Sequence, residues 1–262
     1  MTVHHTTAPD GTTLAHLDTG VGDPPFVFVH GWTCNHTHFA PQIAHFAAEH
    51  RVVAVDLRGH GASDAPEQRY TVTAFADDVA WLCTRLGLAR PVLIGHSMGG
   101  QVVLDAAARH PDLATAVVMV DAAPIVAGSP AVAMAADLGA ALAGPEGVAA
   151  REALADHAVA ALARAPDLQA QVRGDMLDTP HHVAVSCVTL MGEWHGEAAA
   201  RACAVPMLHI AAEDPINDAA ALRALNPRMH TGQTVGAGHF NQLEVPDQVN
   251  AMIERFLVTS VS

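Results

Sequence analysis

The sequence predicts an α/β fold: a mostly parallel sheet flanked by helices, with a helical cap inserted late in the chain. Three observations carry this. Short β-branched runs alternate with helical stretches, the pattern of βαβ units. Those runs are apolar at successive rather than alternate positions, as strands covered on both faces must be. The rhythm then breaks between Pro124 and Val205, where alanine, leucine, valine and glycine dominate and no comparable strand occurs.

The elements follow in order. The opening VHHTT and residues 12–18 alternate polar and apolar around Asp10-Gly11, which predicts an antiparallel hairpin at a sheet edge. FVFV (26–29), VVAV (52–55), PVLI (91–94), AVVMV (116–120) and PMLHI (206–210) read as buried strands. Helical spacing fits 72–86, 98–110, 219–225 and 247–257, the last preceded by Pro246 at the first helical position. Within the break, Pro130, Pro145, Pro166 and Pro180 divide the chain into three to five helices over one end of the sheet. The expectation is one domain, with residues 1–123 and 205–262 as core and 124–204 as cap.

Composition narrows the chemistry. Half of the 262 residues are apolar and 15% are charged, too apolar for a solvated coil. Twenty-seven carboxylates face 13 basic residues, all arginine, for a net charge of -14. That disfavours nucleic acid and anionic membranes as partners. The lack of lysine excludes Schiff-base and P-loop chemistry. Cys34, Cys83, Cys187 and Cys203 include no CxxC pair and are too sparse for a disulfide framework. The polar start lacks the marks of a signal peptide, and no run approaches ~18 strongly apolar residues. These features predict a cytoplasmic protein acting on a small molecule, with a homodimer allowed and no cofactor or metal required.

Gly95-His96-Ser97-Met98-Gly99 lies directly after one predicted strand and before a helix. A G-x-S-x-G there is a nucleophile elbow, which exposes a strained serine at the strand end and aims helix amides at a developing oxyanion. A second amide is needed from a loop after an earlier strand, and Trp32 in Val29-His30-Gly31-Trp32 supplies one to pair with that of Met98. His30 itself reads as a loop brace. Among 18 histidines, His239 stands out as the last, on the glycine-rich loop Gly236-Ala237-Gly238-His239, where a base can reach Ser97. The acid belongs between them, after a strand. Asp214 fits best, with Asp121 and Glu213 as rivals. Cys34, His36 and His38 alternate without a distant fourth ligand and make a poor zinc site. Trp194, in the cap, either walls the substrate pocket or simply packs.

The HGW motif, the stretch Asp56-Leu57-Arg58-Gly59-His60-Gly61-Ala62-Ser63-Asp64, GHSMGG and GAGHF together resemble the α/β-hydrolase superfamily, in order from residue 30 to 240. The resemblance implies Ser97 as nucleophile, Asp214 as acid, His239 as base, and the Trp32 and Met98 amides as oxyanion hole. Ala211 departs from it, since the family often has glycine there. The Arg58–Ser63 turn is expected to brace loops near the site. A serine at the elbow excludes the Asp-nucleophile members and favours hydrolysis of a carboxylic ester or lactone through an acyl-enzyme. C–C bond hydrolases, cofactor-free haloperoxidases or oxygenases, and ligand-binding receptors on the same scaffold are the alternatives. The cap is dominated by alanine, leucine and valine. Arg151, Arg164, Arg173 and Arg201 are expected to face water, leaving an apolar wall that selects a neutral, mainly apolar substrate of short to medium chain.

Overall fold

The computed structural model describes residues 2–128 and 130–261. The hairpin strands are β1 (Val3–Thr7) and β2 (Thr13–Thr19). Strand β3 (Phe26–Val29) leads through a 3-10 turn (His36–Phe39) and α1 (Ala40–Phe46) to β4 (Val52–Val55). Then come α2 (Val72–Arg85), β5 (Val92–His96), α3 (Met98–Arg109) and β6 (Ala116–Val120). The insertion holds α4 (Pro130–Ala143), α5 (Gly147–Ala158), a 3-10 segment (Ala160–Arg164), α6 (Pro166–Asp178), α7 (His181–Met191) and α8 (Gly196–Ala202). The chain closes with β7 (Met207–Ala211), α9 (Ala219–Leu225), β8 (Met229–Gln233), α10 (Asn241–Glu244) and α11 (Pro246–Ser260).

Eight strands form one sheet in the order β1-β2-β4-β3-β5-β6-β7-β8. β1, β2 and β4 pair antiparallel, and every other neighbour is parallel. Alternation along each strand separates two cores. Val27, Val53, Leu93, Val117 and Met207 face α2 and α3. Phe26, Val52, Ile94, Val118 and Leu208 face Ile43 and Phe46 of α1 and Val249 and Ile253 of α11. Strands β5 and β7 begin one residue later than the sequence suggests. Pro91 and Pro206 have no amide to give the ladder, and they enter it only as acceptors, from Thr115 and Val117. The short helices α1 and α10 were not predicted. β8 is a half-polar edge strand without the unbroken apolar run that marks the buried strands.

Strand order reverses across β3, because β4 lies on one side of it and β5 on the other. The loops after β3 and β5 therefore meet at the carboxyl end of the sheet, where open α/β sheets bind ligands. The insertion sits over this end. Ala155, Val159, Leu162, Val172 and Met176 from its helices pack on Cys34 and Phe240 of the core loops. Its last helix, α8, instead packs on α3 and α9 beside the sheet.

The turn after β4 ties several loops together. Asp56 accepts from the amides of His36 (2.7 Å) and Ala62 (3.0 Å). Ser63 Oγ donates to the Asp56 carbonyl and accepts from the Ala15 amide. The buried Arg58 guanidinium donates from Nε and Nη2 to Asp78 of α2, each at 2.5 Å, and from Nη1 to Asp10 of the hairpin turn at 2.9 Å. Asp78→Ala leaves a buried cation with one charged partner, the exposed Asp10. It should cost about 3–5 kcal/mol, read as a lower urea midpoint at unchanged slope. A loss below about 1 kcal/mol would equate the pair with a surface ion pair.

Candidate active site

Ser97 turns the chain between β5 and α3 at φ 53° and ψ -119°. The left-handed conformation of a non-glycine residue costs of order 1–3 kcal/mol and needs a tight surround. The surround is visible on both sides. A Cβ at Gly95 would strike the carbonyl of Gly99, and one at Gly99 would strike those of Val29 and His30. The Ser97 amide donates to Val120 O at 3.0 Å, and the Ala123 amide donates to Ser97 O at 3.0 Å, which locks the elbow to β6.

The loop after β3 lies against this elbow: a Cβ on Gly31 would come within 3.0 Å of Ser97 Cβ. His30 holds the loop from behind. Leu57 donates its amide to His30 Nε2 at 3.0 Å, so the ring is neutral with its proton on Nδ1, which donates to Gly31 O at 2.8 Å. Burial, helped by His60, pushes His30 down to about 3. Among the described residues, the amides of Trp32 and Met98 donate to no protein acceptor. Two free donors beside a half-buried hydroxyl that opens onto a cavity suit an oxyanion.

His239 Nε2 lies 3.0 Å from Ser97 Oγ, and His239 Nδ1 lies 2.7 Å from Asp121 Oδ2. With a carboxylate at Nδ1, that nitrogen carries the proton and Nε2 is left to accept from the serine. Asp121 is buried at the carboxyl end of β6, in a left-handed conformation at φ 38°. Its amide donates to Ile210 O at 2.7 Å, and its Oδ1 accepts from the Ala212 amide at 3.0 Å. The arrangement can move a proton from Oγ to Nε2 and steady the resulting imidazolium.

Two sequence expectations change here. Asp214 is not the partner of His239. It lies three residues beyond the end of β7, exposed on the cavity wall, whereas Asp121 comes straight off a buried strand adjacent to β5. Glu213 is also exposed, and its backbone amide, not its side chain, serves the base's loop by donating to Ala237 O at 3.0 Å. Trp194 does not line the cavity that holds Ser97. Its indole donates to Asp105 of α3 at 2.9 Å, and the ring borders a second, smaller cavity. Trp32 does line the first cavity, its indole donating to Ala184 O of α7 at 2.9 Å, while the Met98 side chain is buried in the core.

That first cavity measures about 840 Å³. Cys34, Leu162, Met176 and Val188, all buried, line one part of it, and the exposed His157, Arg164, Glu213 and Asp214 line another. Arg151, expected in water, is instead buried and donates to Met176 O at 2.6 Å. Cys34 lies beside His38, but His36 does not join them. His36 pairs with Asp56, while His38 Nε2 meets Asp175 of α6 at 3.0 Å. Among the described residues, no three His, Cys, Asp or Glu side chains are grouped to hold a metal. No helix there is long and apolar enough to cross a membrane.

A family model described as alpha/beta hydrolase fold matches residues 24–246. The 2-(acetamidomethylene)succinate hydrolase of Mesorhizobium japonicum is 40% identical over 114 residues, which span 44% of this chain and 41% of that protein. The match thus spans less than half the length of this curated relative. A thermophilic esterase from Thermogutta terrifontis, solved with malate bound, superposes with a TM-score of 0.84 at 26% identity and covers 100% of both chains. The enol-lactonase from Burkholderia xenovorans gives a TM-score of 0.84 at 26% identity, over 97% of this chain and 100% of its own.

The His38–Asp175 pair joins the insertion to the core beside the cavity. Burial alone would push His38 down, but the Cys34 sulfur and the Asp175 carboxylate outweigh it and raise it to about 9. A raised folded value contributes stability that is complete below the reference value of ~6.5 and fades as pH rises through the folded one. His38→Gln should therefore lower stability by about 1–3 kcal/mol near pH 6, with the gap closing towards pH 10. A gap constant over that range in pH-dependent thermal melts would contradict the charged pair.

Proposed function

The chain belongs to the alpha/beta hydrolase fold family, and on that premise we propose that it is a serine hydrolase cleaving small carboxylic esters or lactones through an acyl-enzyme. One observation carries the reading: the unbroken hydrogen-bonded relay from Ser97 Oγ through His239 to Asp121. His239 Nε2 takes the Oγ proton as Oγ attacks the substrate carbonyl. The Trp32 and Met98 amides receive the oxyanion, reinforced by the amino end of α3. Collapse of the tetrahedral adduct expels the alkoxide, which leaves with the proton from His239. Water then repeats the sequence on the acyl-enzyme, with His239 as base. Asp121 keeps the ring in the required tautomer and opposes its positive charge.

Substrate class follows from the cavity wall. Besides Asp121, three carboxylates (Glu213, Asp214 and Glu244) face it against a single arginine, Arg164. The part lined by Cys34, Leu162, Met176 and Val188 offers an anion no partner, and burying one there would cost several kcal/mol. A neutral acyl group of short to medium chain occupies that part, with the leaving group towards the polar wall. The relative named for a succinate derivative makes a charged substrate the informative control.

Ser97→Ala should lower para-nitrophenyl butyrate turnover by ~10⁶ and abolish labelling by a fluorophosphonate probe, while the thermal melt stays unchanged. A tenth of the activity surviving would refute covalent catalysis at Ser97. Across para-nitrophenyl esters from acetate to decanoate, a lactone and a dicarboxylic half-ester, kcat/KM should be highest for neutral substrates. The half-ester should fall at least about tenfold below its neutral analogue, a difference of ~1.4 kcal/mol. Preference for the half-ester would instead make Arg164 a ligand.

A further inference from the structure

We infer that His96 is a positioning residue, holding the loop that bears His239 against the strand that bears Ser97. The inference rests on the serine hydrolase reading. His96 is the last residue of β5, at a motif position where the elbow itself accepts any side chain. Its ring is buried, and its Nε2–H donates to the backbone carbonyl of His239 at 2.8 Å. The two rings are 4.7 Å apart, and His96 also packs on Phe240 at 5.1 Å. The other ring nitrogen, Nδ1, has no partner among the described residues and lies against the loop after β3, where a Cβ on Gly31 would come within 3.0 Å of it. One imidazole thus adjoins the nucleophile, touches the oxyanion loop and grips the backbone of the base.

The loop needs that grip. Gly236 and Gly238 leave it little intrinsic stiffness, and its other backbone anchors come from elsewhere. Ala237 O accepts from Glu213 beyond β7, and Gly238 N donates to Glu244 of α10. The His96 bond ties it to the nucleophile's own strand. Burial, with the adjacent His239, holds His96 well below the usual histidine range. The ring therefore stays a neutral donor through the working range and adds no like charge when His239 holds the serine proton.

The test measures para-nitrophenyl butyrate kinetics for His96→Phe, His96→Gln and Ser97→Ala. Phenylalanine keeps the ring and loses the donor; the longer amide of glutamine places a donor near Nε2. Misplacement by about 1 Å can cost 10²-fold. His96→Phe should therefore lower kcat by about 10- to 100-fold and slow fluorophosphonate labelling in parallel, with KM changed less than about threefold. His96→Gln should recover most of the loss. Should the phenylalanine variant not fold, His96→Leu, which also lacks a donor, takes its place with the same expectation. A donor-less variant retaining more than half of kcat, or a glutamine variant falling as far as it does, would overturn the inference. Turnover surviving in Ser97→Ala overturns the hydrolase reading itself, whereas its loss beside an unimpaired donor-less variant overturns the role of His96 alone.

Discussion

The 2.7 Å hydrogen bond between Asp121 and His239 spans 118 residues and the whole helical insertion. Everything in the candidate site is arranged around that closure. Asp121 is fixed twice from the β7 side, by its amide on Ile210 O and by the Ala212 amide on its carboxylate, so β7 orients the acid that β6 supplies. His239 approaches from the far side of the insertion on a glycine-rich loop and has one productive ring orientation once Nδ1 is held. The two ends of the insertion re-enter the sheet as adjacent strands, so the acid stays beside the nucleophile's strand although the insertion separates it in sequence from the base.

A second constraint is steric. The elbow brings α3 so close to β5 and β3 that Gly95 and Gly99 each have a backbone carbonyl where a Cβ would stand. That crowding holds Ser97 in its left-handed conformation and puts Gly31 beside it. Trp32 and Met98, whose amides find no acceptor among the described residues, directly follow Gly31 and Ser97. A looser junction would leave the serine in an ordinary turn and separate the two donors. Local strain, close packing and donor geometry are thus one feature seen at three levels.

Much of this was legible in the sequence, and the failures are instructive. Fully buried strands announce themselves by unbroken apolar runs, and G-x-S-x-G between a strand and a helix predicts its own turn. Chain order places the acid between Ser97 and His239, but Asp121 and Asp214 both satisfy it. What separates them is that Asp121 leaves a strand paired directly with β5, whereas Asp214 stands further out past β7. Strand order across the sheet is a long-range property that local patterning does not encode. Trp194 and Arg151 failed for a related reason. Which side chains are covered depends on partners distant in sequence, Asp105 for the indole and Met176 for the guanidinium.

The most direct test of the Asp121–His239 connection is the ratio of kcat values for Asp121→Asn and Asp214→Asn with one neutral ester. An amide at position 121 favours the wrong imidazole tautomer and should lower kcat by ~10⁴, with the fold intact by circular dichroism. Asp214→Asn, altering only an exposed carboxylate on the cavity wall, should stay within about tenfold of the unsubstituted enzyme, ~1.4 kcal/mol of barrier. The reverse ranking would contradict the account.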